Sequence, residues 1–163
     1  MSNMIVDGFA FCRLGEQREG VTPVADLPRV AAEAAQPAGE IRWSFHGGRH
    51  SRGYLQLTMV VDGEVALVCQ RCLLPFSYGL DTHSLLVLAS DEADADATEE
   101  ALDDERIDVI VGSAALDLLQ LVEDEVLLAL PLSPRHPKCP DGGSVPAPEK
   151  PDSPFAVLQK LKN

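Results

Sequence analysis

An α+β domain is what this sequence predicts: an antiparallel sheet able to curl into a barrel, one long helix packed on it, and a short tethered helix at the C-terminus. Between residues 40 and 89, four runs rich in Val, Leu, Thr and aromatics are separated by turn residues: EIRWSFH (40–46), GYLQLTMVV (53–61), EVALVC (64–69) and FSYGLDTHSLLVLA (76–89). That is the signature of a meander. Residues 118–130 carry apolar side chains at helical spacing, too many to leave in water. The stretch PDGGSVPAPEKPDS (140–153) is dense in Pro and Gly and reads as a linker, so residues 1–139 form one domain and 154–163 hang from it. A chain of 163 residues, 45% hydrophobic, can bury about 70% of the surface its unfolded form exposes and needs no disulfide.

Taken in order, GFAFCRL (8–14) is β-prone and reads as a strand. In TPVADLPRVAAEAA, Thr22 could cap and Pro23 open a helix, but Pro28 interrupts it, which predicts a short helix after that point. Asp62-Gly63 is the dipeptide favoured in a two-residue hairpin turn. The acidic stretch 91–106 has too little large apolar character to bury and reads as a solvated loop. It contains no Gly for the sharp turn of a calcium loop. RIDVIV (106–111) reads as a strand.

In the long helix, Asp117 supplies the cap and Gln120 completes a capping-box pattern. Leu118, Leu121, Val122 and Leu128 share one face, Leu119, Val126 and Leu130 widen it, and Pro131 ends it. Glu123-Asp124-Glu125 spans about 200° of that helix, so at least one acid falls near the buried stripe. A solvated face with one paired residue is the plain reading, and a functional carboxylate the sharper one. At the end of the chain, Phe155, Leu158 and Leu161 lie at helical spacing, on a segment too short to hold a helix alone in water. It either folds back or meets a partner.

The net charge of −13 excludes a general nucleic-acid coat protein. Most of that charge is local: residues 91–108 hold ten acids and one base, and the remainder is close to neutral. No basic n-region with an apolar stretch opens the chain and no run could span a bilayer, so the expectation is a cytoplasmic protein that engages neither membrane nor DNA.

Cys69-Gln70-Arg71-Cys72 falls where one strand ends and the next begins, so its thiols would face each other across a turn, as in half a zinc knuckle. Downstream, His136 and Cys139 offer an imidazole and a third thiolate, which completes a tetrahedral Zn²⁺ set. Two other readings remain beside it. A redox pair would place its first Cys at a helix N-terminus, which this hairpin does not offer. Cysteines filling space as small apolar groups are the simplest reading. The basic and aromatic stretch 42–54 contains Arg42, Arg49 and Arg52, three aromatics and no acid. With Arg71 on the hairpin tip, these arginines are the candidates for RNA phosphates. No Gly-rich phosphate loop, nucleophile elbow or H-E-x-x-H is present, so the residues do not suggest an enzyme.

Three blocks together resemble the YceD family, the large ribosomal RNA subunit accumulation proteins of bacteria: EVALVCQRCLLPF (64–76), IDVIVGSAALDLLQLVEDEVLLALPLSPRHPKC (107–139) and KPDSPFAVLQKLK (150–162). The resemblance implies a non-catalytic factor in the synthesis, processing or stability of 23S rRNA, whose partner is that RNA or a large-subunit assembly protein. By position it carries over Cys69, Gln70, Arg71 and Cys72, then Val122 to Glu125, Pro131, His136, Cys139 and Pro154-Phe155. Ser153 stands where the family commonly has Asn, and Ser caps equally well. The Arg-rich loop 47–53 is not part of the pattern. The alternative is a zinc-knuckle adaptor that docks on proteins through Phe155, Leu158 and Leu161.

Overall fold

A computed structural model describes residues 4–140. The linker and C-terminal segment, with Phe155, Leu158 and Leu161, lie outside the described residues. Elements run β1 (Ile5–Val6), α1 (Gly8–Leu14), β2 (Gln17–Pro23), a 3-10 turn (Val24–Asp26), α2 (Pro28–Glu33), β3 (Glu40–Arg49), β4 (Leu55–Val68), β5 (Pro75–Ala89), α3 (Glu92–Leu102), β6 (Ile107–Val111), β7 (Leu116–Asp117) and α4 (Leu118–Ala129). The main sheet has the order β2-β3-β4-β5-β6, and β1 pairs with β7 beside it. It is an open α+β sheet with β2 and β6 at its edges, and it does not close into a barrel.

Alternation builds the core. Ile41, Trp43 and Phe45 on β3 and Leu57, Met59, Val61, Val65 and Leu67 on β4 are all buried on one face, as the period of two requires. Against that face pack Phe11 of α1, Val30 of α2, and Leu118, Val122 and Val126 of α4. Trp43 donates its indole N–H to Thr22 Oγ1 at 2.9 Å, which satisfies the polar end of a buried ring. A smaller cluster of Val87, Leu102 and Ile107 lies under α3.

Several expectations are corrected. Residues 8–14 form a helix: Asp7 accepts from Ala10 N–H at its start, and Gly15, at φ 63°, ends it. Thr22 and Pro23 finish β2, and the helix begins at Pro28. Asp62-Gly63 makes no turn. β4 runs straight through both residues, and Gly63 pairs with Ile41 on one side and Leu80 on the other. A Cβ at Gly63 would collide with the Glu40 carbonyl, so the glycine serves close strand approach.

The sheet is not wholly antiparallel, because β6 pairs with β5 in parallel. Parallel neighbours need a crossover that returns over the sheet, usually a helix. That is why the acidic stretch is α3 and not a loop. Asp91 caps it through Asp94 N–H at 2.8 Å, while Thr98 and Leu102 are buried. On α4, Asp117 caps through Leu119 N–H at 3.0 Å. Leu128, assigned above to the buried face, is 83% exposed. It lies ten residues beyond Leu118 on a helix whose buried stripe is Leu118, Val122, Glu123 and Val126.

Candidate metal centre

β4 ends at Val68 and β5 begins at Pro75, so residues 69–74 form the tip of the longest hairpin. Within it, Cys69 N–H donates to the Leu74 carbonyl and Leu73 N–H to the Cys69 carbonyl, both at 2.9 Å. Leu73 adopts φ 61°, and the Leu74 N–H that follows donates to the Cys72 sulfur. The second half of the centre comes from beyond α4. Pro131 stops that helix, and the chain returns to the hairpin, where Gln70 N–H donates to the Pro134 carbonyl at 2.8 Å.

Four ligand atoms converge there. Those of Cys69, Cys72, His136 and Cys139 all lie within 4.8 Å of one another. Cys69 Sγ is 3.9 Å from Cys139 Sγ, and Cys72 Sγ is 3.3 Å from His136 Nδ1. At ordinary Zn–S and Zn–N bond lengths, a tetrahedral ion sets its S···S edges at about 3.8 Å and its S···N edges at about 3.5 Å. These two edges are close to those of a Cys₃His tetrahedron, and the four residues could together hold a metal ion.

The surroundings suit thiolates. Burial raises the Cys69 thiol, but backbone N–H groups of Cys72, His136 and Arg71 point at its sulfur and bring its pKa down to about 5. The Cys72 thiol is lowered by the Leu74 N–H, but burial and the neighbouring Cys139 and Cys69 leave it raised overall. A cation among them removes that conflict, because a coordinated thiol is deprotonated outright. Arg71 Nε donates to Cys139 Sγ at 3.1 Å, and Arg71 Nη2 donates to the His136 carbonyl at 3.4 Å. The His136 ring rests on Phe76 with centroids 4.8 Å apart. Such partners orient ligands and tune their basicity. A low thiol pKa would also suit a redox nucleophile. Cys69, however, has no exposed surface and sits on a hairpin, so no substrate disulfide reaches it.

Leu73 is 71% exposed and holds a left-handed backbone conformation that costs a residue with a Cβ about 1–2 kcal/mol. Leu73→Gly is expected to raise unfolding free energy by about 1 kcal/mol in denaturant titration. A fall of that size would instead mean that the leucine side chain contributes packing.

The four arginines chosen from sequence are not brought together. Arg42 is on β3, paired with Asp62. Arg49 and Arg52 are at the other end of that hairpin, where Arg52 donates to the Ala101 carbonyl of α3. Arg71 alone sits at the metal centre. Trp43 and Phe45 are buried.

The acids of α4 each have a partner. Glu123, 7% exposed, accepts from Arg29 N–H at 2.8 Å and Arg29 Nε at 3.0 Å. Asp124 pairs with Arg29 Nη1 at 2.6 Å, and Ser84 Oγ donates to Glu125 at 2.8 Å. Sequence reasoning missed Arg29, Phe76, Arg135 and Lys138. The last two flank His136 and Cys139, and a search for cations around the ligands would have found them.

Residues 57–162 match the family model described as "Large ribosomal RNA subunit accumulation protein YceD". No solved structure matches the chain.

Proposed function

The chain belongs to the YceD family of large ribosomal RNA subunit accumulation proteins, and on that premise we propose that it is a non-catalytic cytoplasmic factor in the synthesis, processing or stability of 23S rRNA. The observation that carries the reading is the extent of the match: residues 57–162 include all four cluster ligands, their hairpin and α4. Among the described residues no helix is long and apolar enough to cross a membrane.

The cluster is assigned zinc. Three thiolates and one imidazole at tetrahedral spacing are a closed structural set, with no position left for substrate. Zinc here would pin the 131–139 segment to the hairpin tip and supply no chemistry of its own. Arg42, Arg49, Arg52 and Arg71 remain candidates for RNA contact, and their surroundings favour Arg71, since Arg42 faces a carboxylate and Arg52 lies against acidic α3, whereas no Asp or Glu occurs in the segments around Arg71.

Depletion in cells should lower the ratio of large-subunit to small-subunit rRNA and the yield of large subunits, read by RNA quantification and gradient profiles. An unchanged ratio would remove the rRNA role. The second reading is an adaptor that docks on proteins through Phe155, Leu158 and Leu161. It draws support from Leu73, Leu74 and Leu132, all exposed around the metal centre. Replacing the three tail residues with Ala would then abolish function in a protein that keeps its metal and its stability.

A further inference from the structure

We infer that the tip held by the metal centre, residues 69–74 and 131–139, is the surface through which this protein contacts RNA phosphates, with Arg71, Arg135 and Lys138 as the contacting cations. The inference rests on the rRNA reading above and gives it a place on the molecule.

Charge is segregated along the long axis of the sheet. Residues 91–108 hold ten acids, and half of them ride on α3. By contrast, no Asp or Glu occurs from Val65 to Leu80 or from Val126 to Pro140, and these two segments supply Arg71, Arg135, Lys138 and His136. The next acid, Asp141, lies outside the described residues. Gln70, Arg71, Arg135 and Lys138 are all exposed. Among the described residues neither Arg135 nor Lys138 is in an ion pair.

Distance decides whether the acidic helix matters at the tip. α3 packs beside Val87, which pairs with Gln56, and the tip begins after Val68, so twelve residues of extended β4 separate them. At a rise of about 3.3 Å per residue this is up to roughly 40 Å along the strand. The Debye length at physiological salt is about 8 Å, so the field of α3 is screened out at the tip. The hairpin at 49–54 has no such protection, since Arg52 donates directly to an α3 carbonyl. Zinc with three thiolates carries a net charge of −1, which Arg71, Arg135 and Lys138 exceed, so the tip can attract a polyanion although the whole chain is acidic.

The metal centre makes the three cations one surface. Arg71 comes from the hairpin, and Arg135 and Lys138 from the segment after α4. Ligation of Cys69 and Cys72 with His136 and Cys139 holds the two segments together. Arg71 is oriented by its bonds to Cys139 and the His136 carbonyl, which use two of its five N–H donors and leave the rest for a phosphate. Among the described residues the side chains of exposed Lys138 and Arg135 make no hydrogen bond or ion pair, so they can be changed without disturbing the ligands.

The test uses the full chain, purified with its metal, and transcribed fragments of large-subunit rRNA, with affinity measured across a salt series. For R135Q/K138Q the inference expects weaker binding and a log–log salt slope shallower by about 1.4–1.8, from two lost phosphate contacts. Metal content and melting temperature should stay at wild-type values. For R42Q/R49Q/R52Q it expects an unchanged slope. If the slopes move the other way, or both variants match wild type, the tip is not the RNA surface. If wild-type protein binds no fragment, or the tip crosslinks only to a ribosomal protein, the inference is overturned while a depletion effect on rRNA would leave the family role standing.

Discussion

Cys69→Ser is expected to abolish stoichiometric zinc binding and to lower the unfolding free energy by about 4 kcal/mol. The size follows from what the ion does. Bound at the cluster, it would join residues 69 and 139, and a cross-link closing a loop of that length removes about 4 kcal/mol of chain entropy from the unfolded state. Cys69 is the position of largest effect because it is fully buried and three backbone N–H groups point at its sulfur. Denaturant unfolding with elemental analysis reads both consequences. Hydrogen exchange should show residues 69–74 and 131–139 opening together while the sheet stays protected. Removing zinc with a chelator should reproduce the loss in the unmodified chain. A fully folded wild-type protein that purifies metal-free with undiminished stability would remove the zinc assignment.

Glu123→Ala is expected to cost about 3 kcal/mol, more than removal of either neighbouring acid. The reason is the first turn of α2. Leu27 occupies its N-cap with no side-chain oxygen to offer, Pro28 has no N–H, and the free N–H of Arg29 would be left without a partner. Glu123 fills that place from α4, accepting both the backbone N–H and Nε of Arg29. It therefore caps one helix from another and joins them over the core. Glu123→Gln retains an acceptor and should cost about 1–2 kcal/mol. Asp124→Ala removes only a pair that is nearly half exposed, worth about 0.5 kcal/mol. Chemical denaturation ranks the three, and equal effects for Glu123→Ala and Asp124→Ala would mean that the buried cap is not the operative contact.

Which parts were legible follows from the range of the interactions. The runs at 40–46 and 76–89, the strand at 107–111 and the helix after Asp117 were readable because alternation and capping are written in neighbouring residues. GFAFCRL carries a β-prone composition, yet Asp7 and Gly15 at its ends make it helical. Asp62-Gly63 has the look of a turn, but the strands on both sides make continued pairing the better use of its backbone groups. The acidic stretch became a helix because β6 pairs in parallel with β5, a choice no local signal announces. The V-E-D-E run was visible and its purpose was not, since Arg29 lies 94 residues from Glu123.

Chemistry was legible in the same divided way. Cys69, Cys72, His136 and Cys139 could be named from residue type and spacing alone, because few side chains bind a soft cation. In the densest basic stretch, 42–54, a count of arginines does not reveal Asp62 beside one and acidic α3 beside another. The net charge of −13 likewise hides a tip without acids. By itself the sequence determined the strand runs at 40–46, 76–89 and 107–111, the main helix and which four Cys and His residues to consider together, all properties of residues a few positions apart. Only the tertiary structure decided which ends of those elements meet. It brought residues 69 and 139, 70 positions apart, into one cluster and set the basic tip and the acidic helix twelve strand residues apart, up to roughly 40 Å along β4, because long-range pairing, and not local propensity, fixes where an extended strand begins and ends.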